Sequence, residues 1–302
     1  MSLIAIPQSA WERGVDWKAL GWHGSIHMLG GIGCVYLFLA YNFYTVVLAA
    51  VTFVLCHLSI RLGAHSLYTH QAYKAARWLH WALVILYSMT LQGPLRMWVA
   101  LHVRHHKYTD QEGDPYSPKD GWLWAHSLWT CFMLPKINYA REALWLFRAR
   151  NPEEERTIKR IAWQGRYHWH LGLGLGVLLP GLVSTLWGDW LGGFLVAGFF
   201  RLLCQYHLTW QINSLSHMLG SREYSPDSSR NAPWWLAPLT GLSSVGEATR
   251  HNRHHRFPRD PRIGNRWYDF DVGKWALYIL WATSQVWDLH RYDDNGTLRL
   301  LR

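Results

Sequence analysis

Residues 43–70 read FYTVVLAAVTFVLCHLSIRLGAHSLYTH, an apolar run that leads directly into two histidines, His65 and His70. The apolar part, from Phe43 to Leu62, is about as long as an α-helix must be to cross the hydrocarbon core of a bilayer. A helix that leaves the membrane at its end would present both imidazoles just above the membrane surface. This stretch therefore predicts a membrane protein with a histidine site at one face.

Three more apolar runs complete two predicted helical hairpins, each closed by a very short turn. The predicted spans cover about residues 26–40, 43–62, 169–187 and 190–212. A short connection between two helices favours an antiparallel pair. We therefore predict an all-α integral membrane protein of four transmembrane helices in two hairpins, forming a single domain over residues 1–302. The remaining segments, 63–168 and 213–302, are predicted to form a helical cap.

The distribution of positive charge predicts the orientation of this protein in the membrane. The chain has 30 Lys and Arg against 20 Asp and Glu, and the predicted hairpin turns contain none of the positive residues. By the positive-inside rule, both termini and the cap with its active site are cytoplasmic. The membrane would be the plasma or inner membrane of a bacterium, or the endoplasmic reticulum of a eukaryote. The long apolar runs argue against nucleic acid as a partner.

Two further histidine clusters share one spacing, HxxHH, at residues 102–106 and 251–255. On a helix, positions i, i+3 and i+4 project from nearly one face. Asn213 and His217 are also four residues apart and directly follow the last predicted span. The candidate metal ligands are His65, His70, His102, His105, His106, His217, His251, His254 and His255, with Asn213 as a weaker tenth.

Nine histidines exceed what one ion can bind, so the pattern predicts a two-metal site. Imidazole suits iron, zinc, copper and nickel. The absence of cysteine from the clusters argues against an iron–sulfur centre and against a structural zinc site. Copper and zinc remain open, and iron is preferred because two histidine-bound irons beside a membrane suit dioxygen chemistry at an unactivated C–H bond. Acceptors for the outer ring nitrogens are expected among Asp110, Asp114, Glu247 and Asp269.

These residues resemble the membrane-bound fatty acyl desaturases of the stearoyl-CoA (delta-9) type. The likeness rests on the spacings HxxxxH, HxxHH and HxxHH with NxxxH, and it extends over about residues 25–285. It implies a four-span protein whose cytoplasmic cap holds two iron ions, with the acyl chain in a narrow, kinked tunnel below them. By position, the resemblance places four residues along that tunnel: Gln92, Trp98, Thr209 and Trp210.

The resemblance implies removal of two hydrogens from a saturated acyl chain, with O2 as co-substrate. Two electrons would come from a separate ferredoxin, rubredoxin or cytochrome b5. The acyl carrier stays open between acyl-CoA, acyl carrier protein and a lipid-linked chain. Gly93, Ala100 and Leu101 stand where the animal enzymes have residues that help to hold coenzyme A.

Two alternatives stay open at the level of the sequence. The same scaffold could serve as a hydroxylase, an acetylenase or an oxidative decarboxylase. A membrane metal transporter or haem-binding protein would belong to another class. Transport requires ionisable residues spread along the spans, whereas the histidine clusters of this chain gather at one end.

Overall fold

The computed structural model of the protein describes residues 5–135, 138–233, 235 and 245–302. Most of these residues are helical. The helices are α1 (Gln8–Arg13), α2 (Trp17–Leu39), α3 (Phe43–Thr69), α4 (Arg77–Ser88), α5 (Leu95–Tyr108), α6 (Trp122–His126), α7 (Tyr139–Glu142), α8 (Pro152–Trp187), α9 (Trp190–Met218), α10 (Val245–Thr249), α11 (His251–Arg256) and α12 (Val272–Ala282). The strands are β1 (Lys74–Ala75), β2 (Val286–Trp287), β3 (Leu289–Tyr292) and β4 (Leu298–Leu301).

Three helices, α3, α8 and α9, are long and apolar enough to cross a membrane. All three are longer than the spans predicted for them, because each continues from its apolar part into the cap. In α8 the polar first half begins at Asn151, whose side chain accepts hydrogen bonds from the backbone N–H groups of Glu153 and Glu154. Each long helix therefore continues without a break from its apolar part into a more polar segment.

The first predicted span, about residues 26–40, corresponds to α2, which is 23 residues long but is not among the three spanning candidates. Its first half is interrupted by His23 and His27, which lower its apolar content. The second half exposes large apolar side chains, among them Met28, Val35 and Phe38. An apolar surface of this kind is what a lipid-facing helix presents.

The two hairpin turns meet at one end of the bundle around the buried carboxylate of Asp189. Tyr36 and Thr45, on either side of the first turn, both donate hydrogen bonds to it. Trp187, at the second turn, donates from Nε1 to Thr45 Oγ1 at 2.9 Å. These bonds stabilise a carboxylate that would be costly to bury without partners, and they link the two hairpins.

Arg201, inside the last predicted span, is buried in the protein rather than extended to the surface. Its Nη2 donates to Gly176 O at 2.6 Å and its Nη1 to Met89 O at 3.0 Å. Gly176 lies in a π-helical segment of α8, Gly174–Leu178, where the regular backbone pairing changes. Arg201 therefore links α9 to α8 and to Met89, which directly follows α4.

The cap departs from the all-α prediction at four short strands. β1 pairs antiparallel with β2, and β3 with β4. The stretch 275–289 is helical only as far as Ala282, and β2 begins at Val286. This pairing explains the difference, because Ala75 faces Val286 and both side chains are buried in the core.

Candidate metal centre

The nine predicted histidine ligands converge on one region of the protein and form two groups. His65, His70, His102, His106 and His254 make the five-histidine group, and His105, His217, His251 and His255 make the four-histidine group. Within each group the potential ligand atoms all lie within 4.8 Å of one another. Residues that are more than 180 positions apart in sequence thus face a common point.

A π-helical winding brings the first two ligands together. In an α-helix, residues five apart point about 140° away from each other. Segment Ser59–Thr69 of α3 is π-helical, and the N–H of His70 bonds to the carbonyl of His65 at 3.1 Å. Because i→i+5 bonding sets such residues one above the other, the two rings lie 4.8 Å apart between centroids.

Each HxxHH cluster contributes to both groups. His102 and His106, at i and i+4 on α5, join the five-histidine group, whereas His105 joins the four-histidine group. On α11 the assignment is reversed, since His251 and His255 join the four-histidine group and His254 the other. The rings of His106 and His255 stack across the two groups at 4.3 Å between centroids. The two helices therefore hold the two groups side by side.

The contacts between rings are those expected of ligands to a shared ion. Nε2 of His254 lies 3.0 Å from Nε2 of both His65 and His106, and Nε2 of His217 lies 3.0 Å from that of His251. Two nitrogens bound at right angles to one ion at about 2.1 Å are about 3.0 Å apart. Nε2 of His70 is buried and has no hydrogen-bond partner among the described residues. The residues fit two metal ions.

Burial favours the neutral, metal-binding form of several of these rings. It lowers the pKa of His70 to about 3 and lowers the pKa values of His102 and His254 well below the usual value, with neighbouring histidines adding to the effect. A neutral imidazole has a free nitrogen lone pair, whereas a protonated one has none. The site is therefore held ready for a cation.

Two predicted acids fix the orientation of ligands in the four-histidine group. Asp114 accepts from Nδ1 of His105, which lies 3.0 Å from both carboxylate oxygens, and Asp110 accepts from Nδ1 of His217 at 3.0 Å. A proton held on Nδ1 leaves Nε2 free to bind metal. Asp110 has a positive φ of 55°, a backbone conformation uncommon outside glycine, next to this site.

The other two predicted acids have different partners. Glu247 lies 2.9 Å from Nε of Arg61, and burial raises its pKa to about 7 although Arg61 opposes that shift. Asp269 pairs with Arg250 at 3.3 Å. Neither contact is to a candidate ligand. Of the four candidate acids, Asp110 and Asp114 therefore contact candidate ligands, whereas Glu247 and Asp269 pair with arginines.

Two orienting residues were not foreseen from the sequence. The hydroxyl of Tyr116 lies 3.2 Å from Nδ1 of His102, and Thr109 Oγ1 lies 3.3 Å from Nδ1 of His255. Both lie within the segment that also carries Asp110 and Asp114. A search restricted to acids misses them, although a hydroxyl is an equally possible partner for a ring N–H.

A cavity of about 400 Å³ reaches both groups. Its wall includes His65, His102 and His254 from one group and His105 and His251 from the other. Asn213, the weaker ligand candidate, lines the same cavity one helical turn before His217. The remaining wall is mostly apolar and aromatic, which is typical of a site for a hydrocarbon ligand.

The model of one protein family, described as fatty acid desaturase, matches residues 37–271. This chain belongs to the fatty acid desaturase family. The match includes all nine histidines of the two groups and confirms the resemblance seen in the sequence.

The relatives of this desaturase-family chain differ in the acyl carrier that their names give. A probable acyl-CoA desaturase of Schizosaccharomyces pombe is 28% identical over 295 residues, covering 96% of this chain and 59% of the relative. An sn-2 palmitoyl-lipid 9-desaturase of Nostoc sp. (strain 36) is 32% identical over 229 residues, covering 74% and 73%. A hex-5-enoyl acyl-carrier-protein acetylenase of Moorena producens is 32% identical over 251 residues, covering 77% and 72%. The chain thus spans about three fifths of the fungal relative. These names, two desaturases and one acetylenase, agree with membership of the fatty acid desaturase family.

The four tunnel residues predicted for this desaturase-family chain all line the cavity: Gln92, Trp98, Thr209 and Trp210. Gln92 Nε2 donates to Thr209 Oγ1 at 2.9 Å, which joins the loop before α5 to α9. Trp98 stacks on His102 at 5.0 Å between centroids. Gly93 and Leu101 also line the cavity, whereas Ala100 is buried in the core behind it.

The positive charges around the third histidine cluster, at residues 251–255, are not all on the surface. Arg253 is fully buried and pairs with Asp260 at 2.9 Å. Arg250 pairs with Glu223 and Asp269. Arg256 is exposed. Part of the positive charge around this cluster is therefore used in ion pairs within the protein.

Proposed function

We propose that this protein desaturates a saturated fatty acyl chain with O2 at a histidine-bound di-iron centre. The observation that carries the proposal is that members of both histidine groups line one mostly apolar cavity. A metal site alone would be compatible with storage or transport. A metal pair that faces a space suited to hydrocarbon favours chemistry on an acyl chain.

The five-histidine group would hold one iron and the four-histidine group the other. A group of five nitrogen donors exceeds the four-coordinate geometry of a structural zinc site. Asn213 would complete the four-histidine group, either directly or through a water molecule, because it lies one turn from His217 and lines the cavity. When bound, the irons would supply dioxygen activation and take up two electrons from a separate ferredoxin, rubredoxin or cytochrome b5.

The protein itself would determine which carbons are reached. Trp98 lies flat against His102 and so limits how the chain passes below the five-histidine group. The bond between Gln92 and Thr209 would bend the path at a defined depth, with Trp210 on the same wall. Holding a reactant in one orientation is worth several kcal/mol of the barrier. The apolar wall would also exclude water from the reacting bond.

The four-span arrangement with a cytoplasmic cap belongs to this proposal. The apolar exposed side of α2 supports a fourth span, and the meeting of both hairpin turns at Asp189 supports their lying at one membrane face. The turns themselves contain neither Lys nor Arg. By the positive-inside rule, the cap, both termini and the active site would then be cytoplasmic.

The same scaffold could carry out acetylenation, hydroxylation or oxidative decarboxylation. Acetylenation has a specific observation in its favour, since one relative is named as an acetylenase. A metal transporter or haem-binding protein is disfavoured, because the two histidine groups lie together at one end of the described bundle.

The deciding experiment compares cells that express the wild-type protein with cells that express His106→Ala. Fatty-acid and lipid profiling by mass spectrometry should show an unsaturated product that the variant does not form. Iron analysis of both purified proteins separates loss of metal from loss of folding. An identical profile in both cells would refute the proposal, and an alkyne, a hydroxy acid or a terminal alkene would replace it with the matching alternative.

A further inference from the structure

The cavity that reaches the two histidine groups also contains a carboxyl group that orients no candidate ligand. Glu247 on α10 and His57 on α3 both line this cavity. Oε1 of Glu247 lies 2.9 Å from Nε of Arg61, and its Oε2 lies 3.7 Å from Nε2 of His57. The other acid among the described residues of the cavity wall is Asp16, whose side chain caps α2. Glu247 is therefore a carboxyl group of the metal-containing cavity that the site has not yet used.

The arginine that pairs with Glu247 is held in place by other bonds. Arg61 is buried, and it donates from Nη1 to Ser66 Oγ and from Nη2 to Pro261 O, both at 2.6 Å. Burial is the main cause of the lowered pKa of His70, and the charge of Arg61 adds to it, so this arginine lies within electrostatic reach of the five-histidine group. Because two of its partners do not titrate, Arg61 keeps its position whether Glu247 is charged or neutral.

The surroundings of Glu247 favour neither its charged nor its neutral form strongly. It interacts with His57 and Arg61 from α3 and with Asp271, which precedes α12. Burial raises the pKa of Glu247 to about 7, Arg61 opposes this shift, and Asp271 adds to it. Asp271 itself caps α12 by accepting from the N–H of Lys274 at 2.9 Å. A carboxyl group with a pKa near the working pH can both donate a proton and regain it.

We propose that Glu247 donates a proton to oxygen during the reaction and that Arg61 stabilises the carboxylate that remains. This inference rests on the proposed function and assigns one of its proton-transfer steps. The acyl chain loses two hydrogens, and O2 takes up those hydrogens, two electrons from the separate donor protein and two protons to form two water molecules. Glu247 supplies one of these protons, because its O–H bond breaks as an O–H bond to the reduced oxygen forms. The carboxylate then regains a proton from water, to which 12% of the Glu247 side chain is exposed.

The first test is an infrared titration of the full-length protein before iron is added, so it does not depend on activity. We expect the C=O stretch of a protonated carboxyl group to disappear with a midpoint near pH 7 in the wild type. The same band should be missing from Glu247→Gln. Glu142→Gln is the matched control and should keep it, because Glu142 also pairs with an arginine, Arg104, at 2.9 Å and is 9% exposed. A wild type without this band, or its persistence in Glu247→Gln, would overturn the inference.

The second test compares the pH dependence of turnover in the iron-loaded proteins with reduced ferredoxin. Stearoyl-CoA, stearoyl-acyl carrier protein and stearoyl phosphatidylcholine are offered in parallel, and the one that the wild type converts is used. Wild-type turnover should fall as the pH rises through the pKa of Glu247, since only the protonated carboxyl group donates. Proton transfer by a positioned side chain contributes about 100-fold or more to the rate, so Glu247→Gln should be slower by about 100-fold and should lack this pH dependence.

Glu247→Asp keeps a carboxyl group and should therefore keep the fall in turnover with rising pH, whereas Glu142→Gln should behave like the wild type. Iron content and unfolding temperature should be unchanged in Glu247→Gln. The same pH dependence in Glu247→Gln as in the wild type would overturn the inference, and so would loss of iron from that variant, which would make Glu247 a structural or ligand residue. A wild type that converts no substrate would refute the proposed function instead, and the infrared titration would still decide whether Glu247 carries a proton.

Discussion

Replacing Asp114 with asparagine should empty one metal site and spare the other. The Asp114 side chain is buried and accepts from His105 Nδ1 at 3.0 Å, from the N–H of Asp110 at 2.9 Å and from the N–H of Tyr116 at 3.1 Å. Asparagine has nearly the same shape but loses the charge and turns one acceptor into a donor. His105, a member of the four-histidine group, would lose its orienting partner.

The size of this effect follows from the bonds that are lost. A hydrogen bond to a charged group contributes about 1.5–3 kcal/mol, and every 1.4 kcal/mol is about tenfold in affinity. Loss of a carboxylate that orients a metal-binding histidine typically costs about 10–100-fold in metal affinity. We therefore expect the four-histidine group to bind iron about 10–100-fold more weakly in Asp114→Asn. The five-histidine group should keep nearly its wild-type affinity, because Asp114 contacts none of its members directly.

The assay is iron titration of the apoprotein with metal analysis after dialysis against a graded chelator series. The wild type should lose its two irons together at high chelator concentration, whereas Asp114→Asn should pass through a plateau near one iron per chain. Glu112→Gln is the control, since Glu112 is exposed in the same loop. Two equally weakened sites, or two unchanged sites, would refute the role assigned to Asp114.

Three more predictions test other parts of the structure. Tyr116→Phe removes a neutral hydrogen-bond partner of His102 at 3.2 Å, a bond worth about 0.5–1.5 kcal/mol. It should therefore weaken iron binding in the five-histidine group by a few-fold in the same titration. A plateau near one iron per chain, as expected for Asp114→Asn, would contradict the smaller effect expected of Tyr116. Gly33→Ala should lower the unfolding temperature in detergent, because a Cβ there would lie 2.4 Å from Leu195 O and such overpacking costs about 1–3 kcal/mol. Gly31→Ala on the same helix meets nothing within 4 Å and should raise the stability by up to about 1 kcal/mol, so equal effects of the two changes would argue against the packing of α2 on α9. Trp98→Ala removes the ring that stacks on His102 and should produce double bonds at several positions of the acyl chain. The control variant Trp267→Ala should produce a double bond at a single position. An unchanged single position in Trp98→Ala would show that this ring does not align the chain.

Much of the site could be predicted because the spacing of the candidate ligands along a helix is a local property of the sequence. The i, i+3 and i+4 spacing of each HxxHH cluster puts its histidines on one helix face whatever the rest of the chain does. The runs after Phe43 and after Trp190 show by length and apolarity alone that they belong to long membrane helices. The resemblance to desaturases added the tunnel residues, and all four line the cavity.

Other features depend on contacts between distant segments. Val286 and Leu289 lie in strands rather than in a helix because their partners are Ala75 and Leu301. Arg253 is neutralised by Asp260 inside the cap instead of facing a partner protein. Periodicity within a short window carries no information about such pairings, which result from packing in three dimensions.

By itself, the sequence determines which nine histidines are candidate ligands, that each HxxHH cluster shares one helix face, and that the apolar runs are long enough to span a membrane, since helical spacing and apolar length are local properties of the chain. The tertiary structure alone decides how they divide into groups of five and four. The π-helical turn that aligns His65 with His70 and the reversed roles of His105 and His254 arise where α3, α5, α9 and α11 pack together. Metal binding depends on the positions of the nitrogen atoms in space, and those positions are set by the packing of helices that are far apart in sequence.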